Sequence, residues 1–296
     1  MKAGYTKMLR RGRTLLSMRR TTRNWHSIAA LSLGLQRQAN PRFRDGTELT
    51  GITRATFPKY ASKNLERRNG IARGSDGMLS FAFNGRKVRL LDENIATVCE
   101  VFFSDMYANL CCEGEDVVDV GAFVGDSAIR FALLGARHVY AYEPFPRPFR
   151  QAVENVRING LAKKVTVRNE GVAGRDGKII IDNTASEGAV ARKARKGTAV
   201  RFVRLKTMLS DLGLERIVLK VDCEGGEYPF LLSAPDSALR KVACMVVEYH
   251  YGYKDLAERL GRAGFKVRLQ AAPEFIPRAG PMEQDMALGI LYAYRR

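Results

Sequence analysis

The sequence predicts an α/β fold: a doubly wound, mostly parallel sheet closed by a C-terminal hairpin and preceded by a small N-terminal cap. Three observations carry that expectation. From residue 116 onward, short apolar strands alternate with amphipathic helices. The first of these strands runs into a glycine-rich turn that opens a helix. Two later strands end in clusters of carboxylates, at the edge where such a sheet binds its ligands.

The leading strand, Val117–Val120, is β-branched and reads as buried on both faces. Gly121 and Gly125 permit a tight turn and the close approach of a ligand where a Cβ would clash. Asp126 or Ser127 is placed to cap a helix over 126–134, with Ile129, Ala132 and Leu133 on one face before Gly135. The spacing from Gly121 is G-x-x-x-G rather than the dinucleotide fingerprint, and Asp119 precedes it. A pyrophosphate sits poorly beside Asp119, whereas a cationic ligand with an amino-acid tail does not. The next strand, 138–143, ends in Glu143, 22 residues beyond Gly121, where a ribose-hydroxyl acceptor belongs. Together these features point to S-adenosylmethionine rather than NAD.

The remaining elements follow in order. A helix from Arg147 to Asn159 carries Phe149, Ala152, Val153 and Val156 on one face and stops at Gly160. Strand 164–169 leads into a polar, basic, hairpin-like insertion through about 200. Strand Ile217–Asp222 precedes a helix after Gly225-Gly226, and strand Cys244–His250 precedes a helix over 254–263. Segments 265–270 and 287–294 read as two closing strands. Upstream, Met78–Phe83 and Arg86–Leu91 flank Asn84-Gly85, the preferred dipeptide of a tight hairpin, and 96–107 reads as a helix. The expected organisation is a basic, mobile leader over 1–45, a cap over 46–115 and a ligand-binding domain over 116–296.

Hydrophobic content of 46% supports a real core, and no apolar run approaches the ~18 residues of a membrane-spanning helix. Five cysteines without a C-x-x-C pair fit a reduced, cytoplasmic setting. The net charge of +18 is uneven, because residues 1–70 hold 16 Lys/Arg against Asp45, Glu48 and Glu66. In the leader, Tyr5, Met8, Leu9, Leu15 and Leu16 share one helical face among arginines. Such a segment lies on anionic lipid or along RNA, and it also resembles a transit peptide.

The acidic clusters are Asp222-Cys-Glu224-Gly-Gly-Glu227-Tyr228 and Glu248-Tyr249-His250. Carboxylates at the end of a buried strand face a cleft, a cation or each other, since burying them unpaired is costly. Methyl transfer from a sulfonium to oxygen needs an in-line hydroxyl and a base for its proton. Asp222, Glu224, Glu248 and His250 are the candidates. Asp222 and Glu248 could hold Mg2+, but Tyr249 and His250 follow rather than another oxygen ligand. That favours a metal-free site with a carboxylate or His250 as base.

Five stretches resemble the FkbM family of S-adenosylmethionine-dependent methyltransferases over roughly residues 80–295. They are Asp119-Val-Gly-Ala-Phe-Val-Gly-Asp-Ser127, Glu143-Pro-Phe-Pro146, Asn155 with Asn159-Gly-Leu161, Leu219-Lys-Val-Asp-Cys-Glu-Gly-Gly-Glu-Tyr228 and Glu248-Tyr-His250. Arg89-Leu-Leu-Asp92 with Glu100-Val-Phe-Phe103 looks like the archaeal branch. The resemblance implies a Rossmann-like class I methyltransferase sheet with an antiparallel C-terminal edge strand. It also implies transfer to oxygen, often a sugar or other small or glycan hydroxyl. By position, Asp119 and Gly121 hold the methionyl moiety, within a turn formed by Ala122, Gly125, Asp126 and Ser127. Glu143 holds the ribose, Asn169 or Glu170 lies near the adenine, and Tyr107 covers the cofactor from the cap helix. Asp222, Glu224, Glu248 and His250 face the acceptor. Phe123 stands where the family often has Asn.

Two rivals remain. A tRNA base methyltransferase would use residues 1–70 for phosphate contacts, and Glu143-Pro with Asn155 and Asn159 resembles that group too. An Asn-Pro-Pro-type turn is typical of enzymes acting on exocyclic base nitrogens, and here the turn is Asp222-Cys-Glu. A non-catalytic binding protein on the same fold would have less use for the full acidic set.

Overall fold

A computed structural model describes residues 18–91, 94–104, 106–182, 196–271, 274–279 and 284–295. The chain divides into two units. The first runs to Val88 and resumes through Cys99, and the second takes Arg89–Leu91 and continues from Glu100.

The first unit holds α1 (Trp25–Leu33), β1 (Gln38–Ala39), β2 (Ile52–Thr53), α2 (Phe57–Arg68), β3 (Ala72–Arg73) and β4 (Leu79–Phe83). β5 (Arg86–Leu90) and α3 (Ile95–Phe103) pass from it into the second unit. Met18, Ile28, Leu31, Ala39, Phe43, Ile52 and Tyr60 form one buried cluster. The expected leader boundary at 45 therefore runs through a packed core, to which residues from Met18 to Phe43 contribute. The described leader thus differs from a mobile tail, while residues 1–17 lie outside the described residues. The β4–β5 hairpin turns at Asn84 and Gly85, both at positive φ (46° and 72°), as its dipeptide requires.

The second unit is built on β6 (Asp116–Val120), α4 (Asp126–Leu133), β7 (His138–Tyr142), α5 (Pro146–Ile158) and β8 (Val165–Arg168). Next come β9 (Glu170–Val172), β10 (Gly177–Ile181), β11 (Thr198–Val203), α6 (Leu205–Leu212), β12 (Ile217–Val221), α7 (Glu227–Leu232) and α8 (Asp236–Leu239). β13 (Val242–Tyr249), α9 (Lys254–Arg262), β14 (Lys266–Leu269), β15 (Glu274–Ala279) and β16 (Gln284–Tyr294) complete it. The main sheet runs β14-β16-β13-β12-β6-β7-β8. β8, β7, β6, β12 and β13 are parallel, and β16 is antiparallel to both β13 and β14. β15 extends the antiparallel edge by pairing with β16.

Every residue of β6 and β12 is buried, as central strands covered on both faces demand. The insertion after β8 departs from a simple hairpin. β9 pairs parallel with β11 while β10 pairs antiparallel with it, giving a separate three-stranded sheet. Residues 183–195 of that insertion lie outside the described residues. On α5, Ala152 and Val156 are buried as expected, but Val153 is exposed.

Chain order reverses between β6 and β12: β7 and β8 extend one way, β12 and β13 the other. That switch point is where a doubly wound sheet opens its ligand crevice.

Candidate active site

Four strand ends meet at the switch point. Gly121, at φ 75°, follows β6, and a Cβ there would lie 1.6 Å from the Asp222 carbonyl oxygen. The glycine is thus demanded by the neighbouring strand end, not by a ligand as the sequence alone implied. Gly125, at φ 82°, is tight against Ala152 of α5 and serves as the N-cap of α4. No side chain caps α4; the Ser127 hydroxyl instead donates to Asp119 Oδ2 at 2.6 Å, while Asp126 Oδ1 accepts the Ser127 N–H at 2.8 Å. The expected cap by Asp126 or Ser127 gives way because the buried Asp119 is the more demanding acceptor.

Asp119 is fully buried, and its other oxygen lies 3.1 Å from Lys220 Nζ. Lys220 is itself 2% exposed, donates to the carbonyls of Gly121 (2.6 Å) and Val120 (3.2 Å), and sits 3.9 Å from Asp222. Burial alone would pull its pKa down, but Asp119, Asp222 and Asp126 reverse that and hold it above the ordinary lysine value. Its one mark in the sequence is that of a lone lysine inside an apolar strand.

Glu143 is buried at the end of β7, and burial raises its pKa to about 7. Its Oε2 accepts the Phe123 N–H at 2.9 Å and its Oε1 the Phe145 N–H at 2.8 Å. Phe123 stands at φ 45°, a left-handed conformation that asparagine tolerates better than phenylalanine. Asn169 donates to the carbonyls of Glu143 (3.0 Å) and Pro144 (2.9 Å), bracing the turn that presents Glu143. Glu170 instead faces arginines, Arg201 at 3.5 Å and Arg168 at 3.8 Å. Tyr107 lies beyond the end of α3, is 3% exposed and packs on Phe131. Burial first, then the charges of Asp222, Glu248, Asp119 and Asp126, hold its phenol well above the usual value. It belongs to the acidic site, although it does not close a helix.

His250 is 4% exposed. Its Nδ1 lies 3.0 Å from Glu227 Oε1, and its Nε2 lies 3.3 Å from Glu224 Oε2. Burial would lower its pKa; the bond to Glu227 and the charges of Glu227, Asp222 and Glu224 overcome this and raise it to about 9. An imidazole that stays charged at neutral pH is not a resting base, which corrects that part of the sequence reading. Burial, with the nearby Asp222, raises Glu248 to about 8. Glu227, completely buried, stands in the acidic cluster of the sequence but not among its candidate site residues; its role depends on a contact between α7 and the end of β13. Asn155 and Asn159 also prove structural. Asn155 accepts from the Leu91 N–H (2.7 Å) and donates to the Val124 carbonyl (2.9 Å), and Asn159 pairs with the backbone of Arg89.

A parallel sheet with an antiparallel end in this strand order, with carboxylates at the switch point, is the architecture of class I methyltransferases. The FkbM methyltransferase domain matches residues 119–267, about half of the chain, and the chain belongs to that family. It is 48% identical over 54 residues to a ribosomal protein L11 methyltransferase of Carboxydothermus hydrogenoformans, a stretch covering 18% of either chain. Among solved structures it is similar to an FkbM methyltransferase from Methylobacillus flagellatus KT, with a TM-score of 0.42, 16% identity, 61% of this chain and 44% of that one. A precorrin-6y C5,15-methyltransferase from Geobacter metallireducens GS-15 gives a TM-score of 0.39 and 14% identity, covering 64% of this chain and 86% of that one. The chain thus spans less than half of the first of these structures. Among the described residues, no helix is long and apolar enough to cross a membrane, and no group of three or more His, Cys, Asp or Glu is placed to hold a metal ion.

Proposed function

We propose that the protein transfers the methyl group of S-adenosylmethionine to a hydroxyl of a sugar or another small or glycan acceptor. Family membership implies that donor, and the donor set at the switch point fits it. Lys220 and the charged His250 together leave Asp119, Asp126, Asp222, Glu224 and Glu227 in excess, so the crevice suits a cationic ligand. When bound, the sulfonium supplies an electrophilic methyl and departs as a neutral thioether.

The chain's own residues then divide the work. Glu143, held by two backbone amides, accepts from the ribose hydroxyls. Asp119 acts indirectly, fixing Ser127 and Lys220, because its carboxylate is fully enclosed. Asp222 and Glu224, the more exposed carboxylates, and Glu248 face the acceptor. Glu248, raised to about 8, becomes competent to take the hydroxyl proton as pH rises through 8. Tyr107 walls the same acidic site.

The observation that carries the reading is the convergence of four acidic strand ends on one switch point. The test is transfer of labelled methyl from S-adenosylmethionine to cell extract separated into glycan, small-molecule, lipid and RNA fractions. Label in the glycan or small-molecule fraction is expected. Label confined to RNA would overturn the hydroxyl-acceptor reading in favour of the nucleic-acid one.

A further inference from the structure

Three charged side chains stand in a line beside the turn between β12 and α7: Glu227 at the start of α7, His250 just after β13, and Glu224 in the turn itself. Exposure rises along the line: the Glu227 side chain is 0% exposed, His250 5% and Glu224 33%. Glu227 spends both oxygens. Oε1 receives the His250 backbone N–H at 3.1 Å and faces His250 Nδ1 at 3.0 Å; Oε2 receives the Gly225 N–H at 2.8 Å. Glu227 therefore ties the end of β13 to the same turn that carries Glu224. Glu224 sits at φ 53°, a left-handed conformation that is unfavourable for a non-glycine residue. Such strain persists only where the surroundings impose it. Gly225 follows at φ 99°, and a side chain there would meet the Tyr251 ring. The turn is thus forced into a shape that brings the Glu224 carboxylate back against the imidazole.

We infer that Glu227 is the positioning residue of the acceptor site: it holds His250 as an imidazolium donating from both nitrogens, and His250 in turn aims the Glu224 carboxylate outward to the acceptor. This rests on the proposed methyltransferase function for the acceptor, but the charge relay stands on geometry alone. Glu227 is too enclosed to touch a substrate, and His250 nearly so. Glu224 is the member of the line that a ligand can reach. A buried carboxylate accepting from an imidazole fixes both its orientation and its proton inventory. The charged groups acting on His250 are Glu227 and Glu224 in direct contact and Asp222 nearby, with Glu248 acting through its own coupling to His250. Each of these carboxylates favours the charged ring, against the burial that disfavours it.

The experiment uses the full chain with isotope-labelled histidine. Only three histidines are present, His26, His138 and His250, so the His250 signals are identified by their loss in His250→Gln. The expected result is a His250 ring protonated on both nitrogens at pH 7.5, titrating at least about one pH unit above the ordinary value near 6.5. Glu227→Gln should lower that midpoint by about one unit or more, and Glu224→Gln by less, because Glu224 is partly solvated. A ring titrating near 6.5 in the unaltered protein, or a midpoint unmoved by Glu227→Gln, overturns the inference. Should Glu227→Gln not fold, the unaltered protein and Glu224→Gln decide it. If no fraction of extract accepts methyl groups while the ring remains charged as described, the function reading fails and the relay stands.

Discussion

Lys220 carries a charge at 2% exposure in a central strand of the sheet. Its partner Asp119 is equally enclosed, so either one left alone would be a buried, uncompensated ion. Lys220→Met should therefore cost about 3–5 kcal/mol in urea unfolding. Adding Asp119→Leu should recover part of that loss, since replacing both partners removes the orphaned charge. A loss below about 1 kcal/mol would show that the pair contributes little. Glu143 offers a test of the cofactor role. Glu143→Ala should weaken S-adenosylmethionine binding by about 1.5–3 kcal/mol in calorimetry, the range for a hydrogen bond to a charged group. With its pKa near 7, binding should strengthen as pH rises through 7 and the carboxylate ionises. That dependence should vanish in Glu143→Gln; unchanged affinity in Glu143→Ala would remove the residue from the ribose.

Among elements, the contact between β6 and β12 depends on a missing side chain. Gly121→Ala places a methyl group against the Asp222 carbonyl and forces a left-handed alanine, so the two strand ends must part. A destabilisation on the order of 4 kcal/mol is expected from a thermal melt; a melt within 1 °C of the parent would contradict the geometry. On α5, Asn155 and Asn159 stand one turn apart and address residues 91 and 89, two apart on an extended segment. Their side-chain amides continue the backbone pairing of a strand edge. Asn155→Ala leaves the Leu91 N–H and the Val124 carbonyl without this partner and should cost about 1–3 kcal/mol. Faster hydrogen exchange at the Leu91 amide is the accompanying signature.

For the whole molecule, the acidic site sets an unusual response to pH. His250 is raised to about 9 in the fold, so the stability it contributes is complete below about 6.5 and is lost as pH rises through 9. Glu143 (about 7) and Glu248 (about 8) are also raised, so the folded state grips their protons more tightly. Their contribution is greatest below about 4.5 and falls as pH climbs through 7 and 8. All three act in the same direction. Scanning calorimetry should show Tm declining from pH 6 to pH 9, with a shallower slope in His250→Gln. A Tm that rises over this interval would be incompatible with three buried groups of raised pKa.

The sequence by itself determined the main-sheet strands β6, β7, β8, β12, β13, β14 and β16, the helices α4, α5, α7 and α9, the glycine turn after β6 and the acidic strand ends, while β9, β15, α6 and α8 went unread. Each feature so determined is written in local signals: β-branched runs for strands covered on both faces, helical periodicity, and turn dipeptides such as Asn84-Gly85. The order of strands, the Lys220–Asp119 pair and the Glu227–His250–Glu224 line belong to the tertiary structure alone. They join residues up to about a hundred positions apart, and nothing local in Lys220 or Glu227 distinguishes a buried ion from a solvated one. Residues 18–45 show the same limit at lower resolution. Their arginines mask a sparse apolar set, Met18, Ile28, Leu31 and Phe43, which becomes a core only when Ile52 and Tyr60 fold against it. Burial is a property of the partners a residue meets, and those partners are chosen by the fold.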